Sequence, residues 1–195
     1  MAKSGLRLFF ILALLMAVMV AASNFLVQFP FNYFGMEKIL TYGAFSYPIT
    51  FLITDLSNRR FGKNYAKKIV YIGFIFGVLL TVFFSTNFSD LISIRIAFGS
   101  ATAFIIAQLL DVNIFDRLRK KKWYIAPLYS SLAGSTVDTF LFFSIAFYGT
   151  EMNWISLSFG DLIVKIFVAM IMLIPFRLLL SRIYDVSSIE KKISV

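Results

Sequence analysis

The residues able to do chemistry in this chain are carboxylates and amides set inside apolar runs. Gln108-Leu109-Leu110-Asp111-Val112-Asn113-Ile114-Phe115 closes one such run, and Asp138 interrupts the next. At membrane depth an ionisable side chain must find a partner, a proton or a water-filled cavity, and solute pathways supply all three. Ser100, Phe104, Gln108 and Asp111 recur at intervals of four, four and three, and Ser131, Ser135, Asp138 and Phe142 at four, three and four, so each set forms one helical stripe. Two facing stripes would enclose a cavity in which Phe104 or Phe142 stacks a flat ligand while the polar groups bond its edge. Recognition, not bond making, is the chemistry on offer. The chain contains no His and no Cys, so a serine triad, a thiol nucleophile, a disulfide and the usual metal-ligand spacings lack their residues. No cofactor and no enzymatic activity are expected.

Depth ranks the two acids. Asp138 falls near the middle of its run and Asp111 about one turn from a charged end, which makes Asp138 the costlier group and the first choice for contacting substrate, with Gln108 and Asp111 beside it. Structural duties are the alternative: Asp111 would meet Arg117, and Asp138 would bond Ser or Asn on another helix. Asp161 and Lys165, toward the outer face, stand at i,i+4 and are expected to pair, with Arg95 as a further packing partner or a guard at an entrance. Asp55, one turn before Arg59, reads as a salt-bridged helix end or a gate element.

Long apolar helices must position these groups. The chain has 195 residues, 59% of them hydrophobic, with 24 Phe and a mean hydropathy of +0.83, a composition that a soluble core could not hide. At about 20 residues per crossing, six spans are expected: Leu6 to Phe29, Lys38 to Leu56, Ala66 to Ser85, Ile92 to Phe115, Ile125 to Phe147 and Ile155 to Arg177. Backbone in lipid must satisfy its own hydrogen bonds, and these runs are too continuous for alternating barrel strands, so the fold is all-α. Residues 1–195 read as a single transmembrane transporter domain, without linker or repeat. Pro48 and Pro175 are expected to kink the second and sixth spans; Ser46, Thr50 and Thr54 stand ready to satisfy the groups that Pro48 frees.

Charge fixes the expected orientation. Lys3 and Arg7 precede the first span. Arg59, Arg60, Lys63, Lys67 and Lys68 follow the second, and Arg117, Arg119 and Lys120 to Lys122 follow the fourth. Arg177, Arg182, Lys191 and Lys192 end the chain, while the opposing connections hold almost no basic residue. Both termini are therefore expected in the cytoplasm. The net charge of +9 is explained by these topological clusters and anionic headgroups, not by nucleic acid. The first span has signal-peptide features, but its apolar run continues past Ala21, Ala22 and Ser23 to Phe25, Leu26 and Val27, so it is expected to be retained.

Three segments together resemble the queuosine precursor transporter family, also called the vitamin uptake transporter family. They are Tyr47-Pro48-Ile49-Thr50-Phe51-Leu52-Ile53-Thr54-Asp55-Leu56 running to Gly62, Ala107-Gln108 through Asp111-Val112 to Phe115, and the set Ser130, Ser131, Ser135 and Asp138. Arg59 stands where many members carry an acid, so that acid's role does not transfer. The resemblance implies an importer of deazaguanine bases, such as 7-cyano-7-deazaguanine or its aminomethyl relative, in the bacterial inner membrane. A guanine-like edge offers two donors that one carboxylate accepts in bidentate fashion, while an amide reads the adjacent carbonyl. Asp138 or Asp111 would take the first role and Gln108 the second, with Ser131 and Ser135 at the periphery. The rival readings are a substrate-binding subunit needing an energy-coupling ATPase, a scaffold, or an intramembrane enzyme. Whether copies associate as a homo-oligomer is left open.

Overall fold

The computed structural model describes residues 3–33, 35, 40–85 and 90–180. Among them are six helices: α1 (Lys3–Leu26), α2 (Gly43–Phe61), α3 (Lys63–Ser85), α4 (Leu91–Leu118), α5 (Ile125–Phe147) and α6 (Trp154–Leu180). The only pairing of extended backbone among the described residues is an isolated bridge between Pro30 and Thr41. Five helices are long and apolar enough to cross a membrane; α2 is not one of them. The all-α membrane fold expected from composition is therefore present, and its least apolar helix has a physical reason. Helix α2 touches all five others and buries Thr50, Thr54, Asp55, Ser57 and Asn58, so its polar side chains meet protein instead of lipid. It begins at Gly43, later than the expected Lys38, which lies outside the described residues, as do residues 86–89, Arg182, Lys191 and Lys192.

Local chemistry sets the helix ends. Helix α2 stops at Gly62, whose φ of +81° disfavours a side chain and whose N–H donates to the Asn58 carbonyl at 2.9 Å. Helix α4 starts at Asp90, whose carboxylate accepts from the Ile92 and Ser93 N–H groups, both at 3.1 Å, and from the Ser93 hydroxyl at 2.8 Å. The Ser93 hydroxyl, with those two backbone donors, holds this exposed carboxyl below its ordinary range. Arg95 donates to the carbonyls of Ile145 (2.9 and 3.1 Å) and Tyr148 (2.7 Å), closing the C-terminal end of α5 where orphan carbonyls attract a cation. Helix α2 continues through Pro48, with the Ser46 hydroxyl donating to Gly43 and that of Thr50 to Tyr47.

The basic connections gather at one end of the bundle. There Phe9 of α1 packs edge-on to Phe61, Arg119 holds the Asn58 amide oxygen at 3.0 Å, and Arg177 of α6 lies 5.0 Å over the Trp123 ring. Helix α1 thus begins and α6 ends at this basic end. Close backbone approach seals the middle: a Cβ on Gly134 of α5 would fall 2.4 Å from the Phe51 ring of α2 and 3.3 Å from the Ala107 carbonyl of α4.

Candidate functional site

Two buried polar clusters occupy the bundle, one at its centre and one nearer the basic end. At the centre, Lys165 of α6 donates to Asp138 of α5 at 3.0 Å and pairs with Asp161, one turn away, at 2.6 Å. The Thr139 hydroxyl donates to Asp161 at 2.9 Å and accepts from Lys165 at 3.1 Å. The Lys165 ammonium also stands 5.0 Å over the Tyr47 ring of α2, a cation–π contact strengthened by desolvation. The Tyr47 hydroxyl in turn bonds Ser100 at 2.6 Å and donates to Asn24 at 2.9 Å, while the Asn24 amide donates to Thr81 at 2.9 Å. One network therefore ties α6 to α5, α2, α4, α1 and α3.

Nearer the basic end, Asp55 of α2 accepts from Ser130 at 3.1 Å and Ser131 at 3.3 Å, both on α5. Asp111 of α4 lies beside Asp55 and Ser130, is 0% exposed, and has neither carboxylate oxygen in a well-formed hydrogen bond. No ion pair reaches Asp55 or Asp111 among the described residues. A buried polar group without a partner costs about 1–3 kcal/mol, and two acids side by side add repulsion, so this arrangement is held by the fold around it. Gln108, one turn along α4, has both ends of its amide engaged: it donates to Thr50 at 2.8 Å and accepts from Thr54. It clasps α2 to α4. Between α2, α5 and α6 a cavity of about 10 Å³, lined in part by Asp55, Ser131, Pro48 and Phe176, has room for roughly one water.

The residues singled out in the sequence separate accordingly. Asp55, Asp111 and Ser131 come together, Asp138 joins Asp161 and Lys165, and Ser135 lies on α5 between the two groups with its buried hydroxyl unpartnered. The two stripes pack together instead of enclosing a cavity, because Gly134 and Ala107 bring α4 and α5 into backbone contact. Phe104 stacks on Phe74 of α3, with centroids 6.1 Å apart and planes 7° from parallel, away from Gln108. Four residues advance a helix by about 40° past a full turn, enough to send these two side chains to different neighbours. Phe142 lies toward the opposite end against Phe143 and Phe147. Arg95 binds backbone carbonyls, and Asp55 faces Ser130 and Ser131, not Arg59. Asn24, Thr81 and Thr139 join the site without having been singled out by residue type and spacing, and Tyr47 stood only within a family segment; Asn24 and Thr81, polar groups inside apolar runs, were the legible signals.

Apolar helices closed around buried carboxylates, Asp111 among them without a well-formed hydrogen bond, are the arrangement that a helical membrane transporter uses. Residues 41–180 match the family model described as "Putative vitamin uptake transporter", and the chain belongs to this vitamin uptake transporter family, as its three segments indicated. It is similar to the "Probable queuosine precursor transporter" of Haemophilus influenzae, 38% identical over 80% of this chain and 79% of the relative. It is also similar to the "Queuosine precursor transporter" of Escherichia coli, 33% identical over 93% of this chain and 92% of the relative, and to a "Probable queuosine precursor transporter" of Bacillus subtilis, 30% identical over 72% and 70%. No solved structure matches the chain. It is a multi-pass protein of the bacterial inner membrane and a transporter, not an enzyme.

Proposed function

We propose that this protein imports queuosine precursors, specifically deazaguanine bases such as 7-cyano-7-deazaguanine, with its termini and basic loops in the cytoplasm. The observation carrying the assignment is Asp111: a fully buried carboxyl beside Asp55 and Ser130, with neither oxygen in a well-formed hydrogen bond, suits a ligand with two adjacent N–H donors, which the edge of a guanine-like base provides. Asp55 beside it is positioned by Ser130 and Ser131, and Gln108 maintains the α2–α4 geometry. In this reading the Asp138–Lys165–Asp161 network is the barrier between the two sides. It parts when α6 moves relative to α5, and Asp138 meets the substrate in passage.

The deciding experiment is uptake of a labelled deazaguanine base by liposomes holding the purified chain alone, with and without a proton gradient. Uptake is expected without added protein; uptake only after addition of an ATPase complex would favour an energy-coupled binding subunit. Asp111→Asn presents an amide nitrogen where an acceptor is needed and is expected to abolish uptake while the protein still inserts. Unchanged uptake would remove Asp111 from the site.

A further inference from the structure

At the end away from the basic loops lies a cavity of about 350 Å³, lined in part by Gln28, Thr41, Phe142, Phe147, Met152 and Leu157. Its volume falls within the range of small-molecule sites, about 300–1,000 Å³, whereas the space at Asp55 admits roughly one water. Pro30, Thr41 and Met152 belong to connections between helices, so the mouth opens at helix ends. The lateral grooves beside Val78 and Phe98 and beside Phe140 and Trp154 are lined by helix residues alone, as suits lipid-facing surface. The cavity pairs an aromatic wall with polar groups that have bonds to give. The Thr41 hydroxyl is buried without a partner. Gln28 donates to the Asn24 carbonyl at 3.2 Å, and its amide oxygen makes no hydrogen bond among the described residues. Gln28 and Ile96 also line a smaller adjoining cavity bounded by Asn24 and Ser100, and these two residues hold the Tyr47 hydroxyl beneath Lys165.

We propose that this cavity is a first binding site for the transported base, a planar heteroaromatic ring lying against Phe142 and Phe147 with its polar edge on Gln28 and Thr41. It rests on the transport reading and deepens it. Substrate is captured here on the external side, and passes toward Asp111 when the Tyr47–Lys165 contact opens. An aromatic wall contributes contact area with either face of a flat ring, an acceptor and a hydroxyl match an edge carrying both donors and acceptors, and a lipid chain would leave both unmet.

The chain has no Cys, so M152C gives one thiol, at a cavity-lining residue that is 48% exposed. In right-side-out vesicles a membrane-impermeant maleimide is expected to label it from outside. 7-Cyano-7-deazaguanine is expected to slow labelling, by roughly tenfold at ten times its half-saturating concentration. Protection should persist in D111N/M152C, where the deeper carboxylate is gone, and disappear in Q28A/M152C with unprotected labelling unchanged. Vesicles that take up the base while it leaves the labelling rate unaltered would overturn the proposal alone. A base neither taken up nor protective would overturn it together with the transport reading.

Discussion

Replacing Lys165 with Met tests whether the central network is a structural lock. At an effective dielectric constant near 20, unit charges separated by 3.0 and 2.6 Å attract by about 5.5 and 6.4 kcal/mol, but desolvating three charges offsets most of this. The measurable quantity is the cost of stranding the carboxylates. Breaking a buried ion pair by removing one partner costs about 3–5 kcal/mol, and Lys165→Met strands Asp138 and Asp161 at once, both buried. The folded-to-unfolded ratio should fall by roughly two to three and a half orders of magnitude. Asp138→Asn should cost less, because Lys165 keeps Asp161 at 2.6 Å. The all-neutral triple variant D138N/D161N/K165M should recover most of the loss, since it leaves no uncompensated charge. Denaturant unfolding in detergent micelles, followed by circular dichroism, gives the three values. A Lys165→Met variant within about 1 kcal/mol of wild type, or a triple variant no more stable than Lys165→Met, would show that the network is not a structural lock.

Asp138→Asn, although the milder change in stability, is expected to abolish uptake while membrane insertion stays intact; uptake at the wild-type rate in proteoliposomes would remove Asp138 from the transport path. Gly134→Ala should destabilise the bundle by about 1–3 kcal/mol, because its Cβ would fall 2.4 Å from the buried Phe51 ring, and thermal unfolding in detergent measures it. Asp90→Ala should fray the start of α4, raising amide exchange at Ile92 and Ser93, whereas Asp90→Asn keeps the cap. Since the folded-state pKa of Asp90 lies below 3.8, its contribution is complete above that value and is lost as pH falls through the folded pKa. Exchange protection at these two amides should therefore be flat near neutrality and decline only in acid.

Apolar run length determined the helices, alternating charge determined which connections share an end, and the missing His and Cys removed the residues of serine triads, thiol nucleophiles and the usual metal-ligand spacings. These properties are carried by neighbours in sequence, as is the family resemblance of the three segments. Which polar groups meet was decided by tertiary structure. Asp138 was legible as a costly midspan acid, but its partner Lys165 is 27 residues away on another helix, and helical periodicity gives a face without saying what that face meets. Asp111 was legible as a substrate-side acid with Arg117 as its alternative partner, but it lies beside Asp55, because Gln108 fastens to Thr50 and Thr54 and brings α2 against α4. The stripes that were to line a cavity are packed at Gly134, and the roomy, aromatic-walled cavity forms where α1, α4, α5 and α6 diverge toward their connections. A sequence specifies the cost of burying each polar group; only the packed bundle specifies which other group relieves that cost, and which, like Asp111, is left with acceptors to fill.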